Sequence, residues 1–412
     1  MIRGFGALAH RNFRLFFYGQ SLALVGTWIQ TTAMSWLVYR LSGSAFLLGL
    51  TGFAAQIPML VASPFTGVIA DRFDRRRLLA AMQWLLLLHA ATLALLAWHD
   101  LLEAWHITIA ALLMGTAMAA ETSARQSYVP ALVEDRADLP SALALGAFLQ
   151  NAGRMIGPTI AGFLIHAASE AGCFLANALS KLGVLGSLSA IDAPRPRRAS
   201  TARSVRAELL EAFRYQRSLT PVRVLMKHIA VFSFVVTPYS VLLPIYAAEV
   251  FGGGAATLGL LMGAAGMGGV CGGAVLAWRN RVGGLVTLNQ RATAACGVAL
   301  LGFAWNTQFW AALALLFVVG AAVIVVVTST STVTQMVVDE DKRARVMSFY
   351  TMSFLGVMPL GALCAGTAAE AFGVQAVVCT GGAVCVLASI ALLRRLPELR
   401  DHLRPLYDRL GL

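Results

Sequence analysis

The sequence predicts an all-α integral membrane protein whose twelve transmembrane helices form two six-helix pseudo-repeats. The first supporting observation is composition, because 58% of the 412 residues are apolar and only 13% are charged, about half the charged share of a soluble domain. The second is a series of apolar runs, each close to the roughly 20 residues that a helix needs to cross a bilayer. The third is that nearly all basic residues lie on one side of these runs. This composition excludes a soluble enzyme, a disordered chain and a fibrous protein.

The apolar runs are continuous rather than alternating, which favours helices over a β-barrel. In lipid every backbone polar group must be paired internally, and a helix does this within one segment. The approximate centres of the predicted helices are Leu24, Met59, Leu87, Leu112, Met155, Leu182, Phe234, Met267, Val298, Leu316, Leu355 and Val384.

The basic residues predict the orientation of the chain. All but three of the 32 lysines and arginines fall in the N-terminal segment, in the loops after even-numbered spans, or in the C-terminal segment. Only Arg40 lies on the opposite side, whereas Arg154 and Lys181 lie inside spans. Cytoplasmic loops of membrane proteins collect Lys and Arg. We therefore expect both termini in the cytoplasm and attribute the net charge of +12 to topology, with no nucleic-acid partner.

The longest hydrophilic segment divides the chain into two halves. We predict an N-terminal six-helix bundle over 1–191, a cytoplasmic linker over 192–223, a C-terminal six-helix bundle over 224–395 and a cytoplasmic tail over 396–412. Part of the linker has the pattern of a short amphipathic helix. This helix either lies on the anionic membrane surface or belongs to a plain tether, and the sequence leaves both open. Short matches between the halves favour an internal repeat, which is typical of alternating-access transporters.

The most specific motif follows the second span, at 67–77, and reads Gly-x-x-x-Asp-Arg-Phe-Asp-Arg-Arg-Arg. A glycine there lets two helices approach closely, and Asp71 can accept from an arginine or from a helix N-terminus. Such contacts would form when the cytoplasmic side closes and break when it opens. The candidate gating residues are Gly67, Asp71, Arg72, Arg75 and Arg76.

A second motif lies in the fifth helix, where glycine and proline recur at short spacing. Its residues are Gly153, Gly157, Pro158 and Gly162. Glycine and proline at this spacing predict a helix that packs closely on its neighbours and can kink. An ordinary interface of small residues is the alternative.

The first motif resembles the G-x-x-x-D-R-x-x-R-R loop motif of the major facilitator superfamily. The second resembles the G-x-x-x-G-P-x-x-G-G motif of exporters in that superfamily, with Ala161 in place of one glycine. With the stretches 12–30, 36–45 and 124–130, the chain resembles the branch that contains the enterobactin exporter and macrolide-efflux-like permeases. The resemblance implies the major facilitator fold and proton-driven export of an amphipathic molecule across a bacterial inner membrane.

Two cations within the predicted spans are candidate substrate-binding residues. An ionisable residue at mid-membrane is a functional hypothesis by default, and Arg154 and Lys181 could bind an anionic substrate near the midplane. Alternatively, Arg154 binds backbone carbonyls or Glu121, and Lys181 faces lipid near a bilayer defect. The other predicted substrate-binding residues are Gln20, Gln30, Gln56, Gln150, Asn151 and Trp28. Trp28 would stack on a ring-bearing substrate, unless it only packs or anchors the helix at the interface.

The sequence gives weaker evidence for a proton-carrying residue, because no carboxylate lies clearly at mid-membrane. Glu121, near the cytoplasmic end of the fourth helix, is the best candidate for proton coupling.

These observations favour a secondary active exporter of a siderophore or a similar amphipathic anionic metabolite. The main alternative is a multidrug or macrolide efflux permease, although a pump for cationic drugs would be expected to carry a mid-membrane acid.

A lipid flippase, a membrane enzyme and a sensor are further alternatives. Scattered histidines and glycine runs without a following Lys-Ser or Lys-Thr argue against metal, cofactor and nucleotide sites. We expect a monomer without enzyme activity or cofactor, whose partners are a small-molecule substrate, the proton gradient and the bilayer.

Overall fold

The computed structural model describes residues 3–72, 74–191, 215, 219–279 and 283–410. Within these ranges the chain is helical apart from turns and short connections, and it contains no strand. The predicted all-α class is therefore confirmed.

Five long helices make up the first half of the chain. They are α1 (Arg11–Ser42), α2 (Ala45–Arg72), α3 (Arg75–Trp98), α4 (Ala104–Tyr128) and α5 (Leu139–Ala190). Local sequence explains several of their ends. Asp74 caps α3, because its side chain accepts hydrogen bonds from the amides of Arg76 and Arg77. Gly43 ends α1 in the left-handed conformation, with φ of 60°.

A sharp bend divides the 52-residue α5 into two arms. Ala168 and Ser169 have non-helical backbone angles, and Cys173 Sγ lies 3.7 Å from the carbonyl oxygen of Ala161 across the bend. The arms therefore fold back on each other, and the predicted fifth and sixth helix centres lie on separate arms. Arg40 holds the bend from α1, since its guanidinium contacts both carboxylate oxygens of Glu170 at 3.0 and 3.1 Å.

Seven further long helices follow within the described residues. They are α6 (Thr220–Ile245), α7 (Ala255–Arg279), α8 (Leu285–Ala304), α9 (Phe309–Val337), α10 (Glu340–Leu355), α11 (Met358–Phe372) and α12 (Val374–Leu410). A π-helical turn, Tyr246–Val250, extends α6. The predicted eleventh span is interrupted between α10 and α11. The predicted tail is helical as far as Leu410, because α12 continues through residue 396 without a break.

Many of these helices expose apolar side chains on their outer faces, as a bilayer requires. On α3, Leu85, Leu88 and Leu95 are 50%, 59% and 64% exposed. Eight helical segments in the described part of the chain are long and apolar enough to cross a membrane. The exact number of twelve spans stays a prediction.

Packing divides the chain into two compact units. The first comprises Met1–Ser200 and Pro244–Gly263, and the second comprises Thr201–Leu243 and Ala264–Leu412. The predicted bundle and linker boundaries remain predictions, and the predicted amphipathic helix of the linker lies outside the described residues.

Each unit has an apolar core near one end of its helices. In the first unit, Phe16 of α1 packs with Tyr128 of α4 and Val184 of α5. In the second unit, Leu225 of α6 packs with Val333 of α9 and Leu396 of α12. In the first unit this packing fixes the positions of α1, α4 and α5, which carry most of the polar residues of the candidate site.

Candidate functional site

A buried carboxylate gathers polar side chains from three helices of the first unit. Glu121 of α4 is 2% exposed. Arg125, one turn later, donates from Nε to Glu121 Oε1 at 3.2 Å. Gln20 of α1 and Gln83 of α3 donate their amide hydrogens to the same oxygen at 3.3 and 3.4 Å. We call these four residues the Glu121 cluster, and its donors compensate a charge that burial would otherwise destabilise.

Two acceptors in the Glu121 cluster lack partners. The side-chain oxygens of Gln20 and Gln83 are buried and make no hydrogen bond within the described part of the chain. An unpaired buried acceptor costs about 1–3 kcal/mol. Rotation of either amide would turn its oxygen toward Glu121, where a protonated carboxyl could donate to it. The cluster can thus pair both the ionised and the protonated carboxyl.

Lys181 places a buried ammonium beside α1. It lies on the second arm of α5 and is 2% exposed. Its Nζ donates to Thr27 Oγ1 at 2.7 Å and to the carbonyl oxygen of Ala23 at 3.2 Å. The Glu121 carboxylate adds an attractive electrostatic interaction. Because Lys181 is buried against protein, the alternative in which it faces lipid is wrong.

A second polar network, the Gln30 network, lies about ten residues further along α1. Gln30 Oε1 accepts from Asn177 Nδ2 of α5 at 2.6 Å, and Gln30 Nε2 lies 3.3 Å from His89 Nδ1 of α3. The other ring nitrogen of His89 lies 3.0 Å from the carbonyl oxygen of Ala110. That nitrogen must carry the hydrogen, so Nδ1 accepts from Gln30.

Arg154 and Trp28 form a pair at a more exposed position. Arg154, on the first arm of α5, is exposed, and its Cζ lies 5.2 Å from the centroid of the Trp28 ring. This is cation–π geometry. Trp28 and Thr27 are neighbours on α1, about 100° apart around the helix. Arg154 and Lys181 therefore contact different faces of α1.

The glycines of the α5 motif permit close helix contacts. A Cβ at Gly157 would overlap Cβ of Trp28, and one at Gly153 would lie 3.0 Å from Trp28 Cδ1. A Cβ at Gly162 would lie 2.7 Å from the carbonyl oxygen of Ala255 at the start of α7. Pro158, also buried, lies between these two contacts. The motif thus packs α5 against both α1 and the first residues of α7.

Three other predicted substrate-binding residues stand apart from both networks. Gln56, Gln150 and Asn151 are half-buried. Gln56 donates to the carbonyl oxygen of Gly52 at 3.5 Å and Asn151 to that of Ala147 at 3.0 Å, each within its own helix.

The candidate gating residues lie at the end of α2 and the start of α3. Gly67, Asp71 and Arg72 belong to α2, but their side chains lie outside the described part of the structure. Arg75 Nη1 donates to the carbonyl oxygen of Ser127 at 3.1 Å, and Arg76 Nη2 donates to that of Ser189 at 3.3 Å. These two arginines join α3 to the ends of α4 and α5 within the first unit.

Buried polar networks inside an apolar helical bundle are typical of a membrane transporter. The sequence matches the family described as transmembrane secretion effectors over residues 2–407. The chain belongs to this family of major facilitator transporters. The family and the fold are those of transporters, not of enzymes.

Proteins with similar sequences are bacterial transporters. The staphyloferrin A transporter of Staphylococcus aureus is 26% identical over 373 residues, which cover 88% of this chain and 90% of that protein. The multidrug efflux pump Tap of Mycolicibacterium fortuitum is 26% identical over 409 residues, 94% and 96% of the two chains. Macrolide efflux protein A of Streptococcus pyogenes is 25% identical over 185 residues, 44% of each chain. The chain is accordingly a multi-pass membrane protein of a transporter family that includes efflux proteins.

Solved structures agree with this fold. The nucleoside transporter NupG superposes with a TM-score of 0.72 over 95% of this chain and 99% of that one, at 14% sequence identity. At that identity the similarity shows the major facilitator fold alone.

Among the polar residues of the candidate site, the sequence predicted Gln20, Gln30, Glu121 and Lys181. It missed Gln83, His89 and Asn177 as site residues. Each of the missed residues is a polar residue inside an apolar run, and that signal could have found them.

Proposed function

We propose that this protein is a secondary active exporter that exchanges protons for an amphipathic anionic metabolite of the siderophore class. It would work as a monomer in the bacterial inner membrane, with both termini in the cytoplasm. The observation that carries the proposal is the Glu121 cluster, in which a buried carboxyl accepts from the amides of Gln20 and Gln83 while the two amide oxygens have no partner. A carboxyl of this kind is suited to taking up and releasing a proton during a transport cycle.

Two features support an anionic substrate. Lys181 is a buried ammonium whose two hydrogen bonds go to a hydroxyl and a backbone carbonyl rather than to a carboxylate. Arg154 is a second cation within the predicted spans, exposed beside Trp28. A relative that matches most of this chain is a staphyloferrin A transporter, which favours the siderophore class. The polar side chains of Gln30, Gln56, Gln150 and Asn151 would contact the substrate in other steps of the cycle.

Multidrug or macrolide efflux is the second candidate function. It is favoured by the relatives Tap and macrolide efflux protein A. The exposed edge of Trp28 would then bind a ring of the drug, and Arg154 would act as a structural partner of that ring.

The two functions can be distinguished by uptake into inverted membrane vesicles under an imposed proton gradient. The substrates would be an anionic siderophore and a cationic dye, with wild type and Lys181→Met compared at equal abundance. We expect siderophore uptake that an uncoupler abolishes and that Lys181→Met reduces by about tenfold, the effect of losing one charged hydrogen-bond partner. Met keeps most of the length of the side chain, so packing against α1 is largely preserved.

Dye uptake without siderophore uptake would reject the siderophore proposal in favour of drug efflux. Siderophore uptake that survives the uncoupler would reject proton coupling. Siderophore uptake that is unchanged in Lys181→Met would remove Lys181 from the substrate site.

A further inference from the structure

A groove of about 640 Å³ opens in the second unit between α6 and α12. On α6 it is lined by Arg223, Lys227 and Val231, which are four residues apart and therefore share one face of the helix. On α12 it is lined by residues between Val384 and Arg395. No substrate-binding, gating or proton-coupling residue proposed above lies in this groove.

The groove has a cationic end and an apolar end. Leu225 and Leu396 belong to one packed cluster, so the start of α6 lies level with the part of α12 that carries Arg395. Arg223, Lys227 and Arg395 consequently lie at the same end. The other end consists of aliphatic side chains. These are Val231, Val384, Leu387, Ala388 and Ala391.

The apolar end is open rather than covered by protein. Val231 is 43% exposed and Leu387 is 64% exposed. The polar group at the floor points away from the opening, because His228 Nε2 lies 3.0 Å from Thr293 Oγ1 of α8. An aliphatic ligand could therefore lie along the groove without burying an unpaired polar atom.

At the cationic end, Arg395 also contacts a carboxylate of its own helix. Its Nη1 lies 3.3 Å from Glu398 Oε2, and both side chains are about half exposed. An exposed pair of this kind is weak, so Arg395 and Lys227, both exposed in the described part of the chain, keep this end of the groove basic.

We propose that the groove binds an anionic phospholipid from the cytoplasmic leaflet. Its phosphate would contact Arg223, Lys227 and Arg395, and one acyl chain would lie along Val231, Val384 and Leu387. Anionic head groups are attracted to basic pockets between transmembrane helices on the cytoplasmic side, and the aliphatic end matches an acyl chain. The assignment of the leaflet rests on the predicted orientation, but the binding itself is independent of the transported substrate.

The charge requirement can be tested by native mass spectrometry of the purified full-length protein in detergent. Phosphatidylglycerol and phosphatidylcholine of the same chain length would be titrated into wild type, Lys227→Gln/Arg395→Gln and Arg394→Gln. We expect wild type to bind phosphatidylglycerol more tightly, and the double variant to weaken that binding by about tenfold. Arg394 is the matched control, because it is an exposed neighbour of Arg395 outside the groove, and its variant should stay within about twofold of wild type.

A second variant tests the acyl-chain end without changing charge. Ala388→Phe would fill part of the groove, so we expect weaker binding of long-chain phosphatidylglycerol and unchanged binding of its soluble dihexanoyl analogue. This variant also keeps the test informative if the double variant folds poorly, which thermal unfolding would show.

Three results would overturn the proposal. One is equal affinity of wild type for the two head groups, and another is an equal effect of Arg394→Gln and the double variant. The third is intact phospholipid binding in the double variant together with lost siderophore export, which would assign the groove to the substrate pathway.

Discussion

Glu121 connects several helices and is also the proposed proton carrier. Its ion pair with Arg125 and its hydrogen bonds to Gln20 and Gln83 connect α1, α3 and α4. A buried pair contributes little net stability, but removing one partner leaves an uncompensated charge, at a cost of about 3–5 kcal/mol. A test at this position must therefore separate lost coupling from lost stability.

We predict that Glu121→Gln abolishes proton-driven accumulation of substrate but retains exchange of substrate across the membrane without a gradient. A glutamine keeps the shape of the side chain but cannot take up a proton. The measurement compares gradient-driven uptake with exchange of labelled substrate in the same vesicles. Glu134→Gln, at an exposed position, is the control and should leave both rates unchanged.

The double variant Glu121→Gln/Arg125→Gln completes this test. It removes both charges of the pair, so we expect thermal stability to recover towards wild type while proton-driven accumulation stays absent. Recovery of accumulation together with stability would mean that Glu121 is only a structural partner of Arg125.

At the residue scale, the sequence predicted chemical types better than contacts. Glu121 and Lys181 were recognised because charges are rare in apolar runs. Their contacts with Gln83 of α3 and Thr27 of α1 depend on how the helices are rotated against each other, which no local pattern encodes. Arg154 was assigned the same role as Lys181, but it lies exposed beside Trp28.

Among the helices, α5 carries both a packing motif and candidate substrate-binding residues. Its first arm carries the glycine motif that contacts α1 and the start of α7, and its second arm carries Asn177 and Lys181. A displacement of α5 would therefore affect substrate-binding candidates and helix packing together.

We predict that Gly157→Ala destabilises the protein by about 1–3 kcal/mol and reduces export, because the added methyl group would overlap Trp28. Gly146→Ala in the same helix is the control, since a Cβ there meets nothing within 4 Å. It should be neutral or stabilising by about 0.5–1 kcal/mol, from the better helix propensity of alanine. Thermal unfolding of both purified variants measures the difference, and equal stability would contradict the close contact.

The sequence predicted the positions of the helices better than it predicted where they begin and end. Each predicted centre lies in a helix, including one on each arm of α5. The bend at Ala168 and Ser169 falls between the predicted fifth and sixth spans. Its exact position did not follow from the sequence, because the stretch Ala-Ala-Ser-Glu contains neither proline nor glycine. The interruption between α10 and α11 was missed although Gly356 lies in it and Pro359 follows it, because apolar residues continue across it.

For the whole molecule, the charge distribution and the apolar runs were sufficient to predict a multi-pass helical membrane protein, and the resemblance of the motifs added the transporter fold. The division into units was less predictable. The first unit includes residues 244–263 from the second half of the sequence, partly through the contacts of Gly162 with α7. A sequence repeat shows that the two halves of the chain are similar. It does not show which residues pack together in the folded protein.

The orientation of the chain in the membrane gives a prediction for the whole molecule. Leu101→Cys, between α3 and α4, should react with a membrane-impermeant maleimide in intact spheroplasts. Thr201→Cys, in the predicted linker, should react only in inverted vesicles. Wild type gives the background from its six native cysteines, and the opposite labelling pattern would invert the proposed topology.

The contact between Lys181 and α1 also constrains how the protein is synthesised. A lysine at the centre of an inserting helix opposes its partition into the bilayer by about 3 kcal/mol. Thr27 and the carbonyl of Ala23 compensate that charge, and both lie on a helix made about 150 residues earlier. The second arm of α5 should thus enter the bilayer efficiently only while α1 is still close to the translocon, so biogenesis of this transporter depends on the order in which its helices assemble.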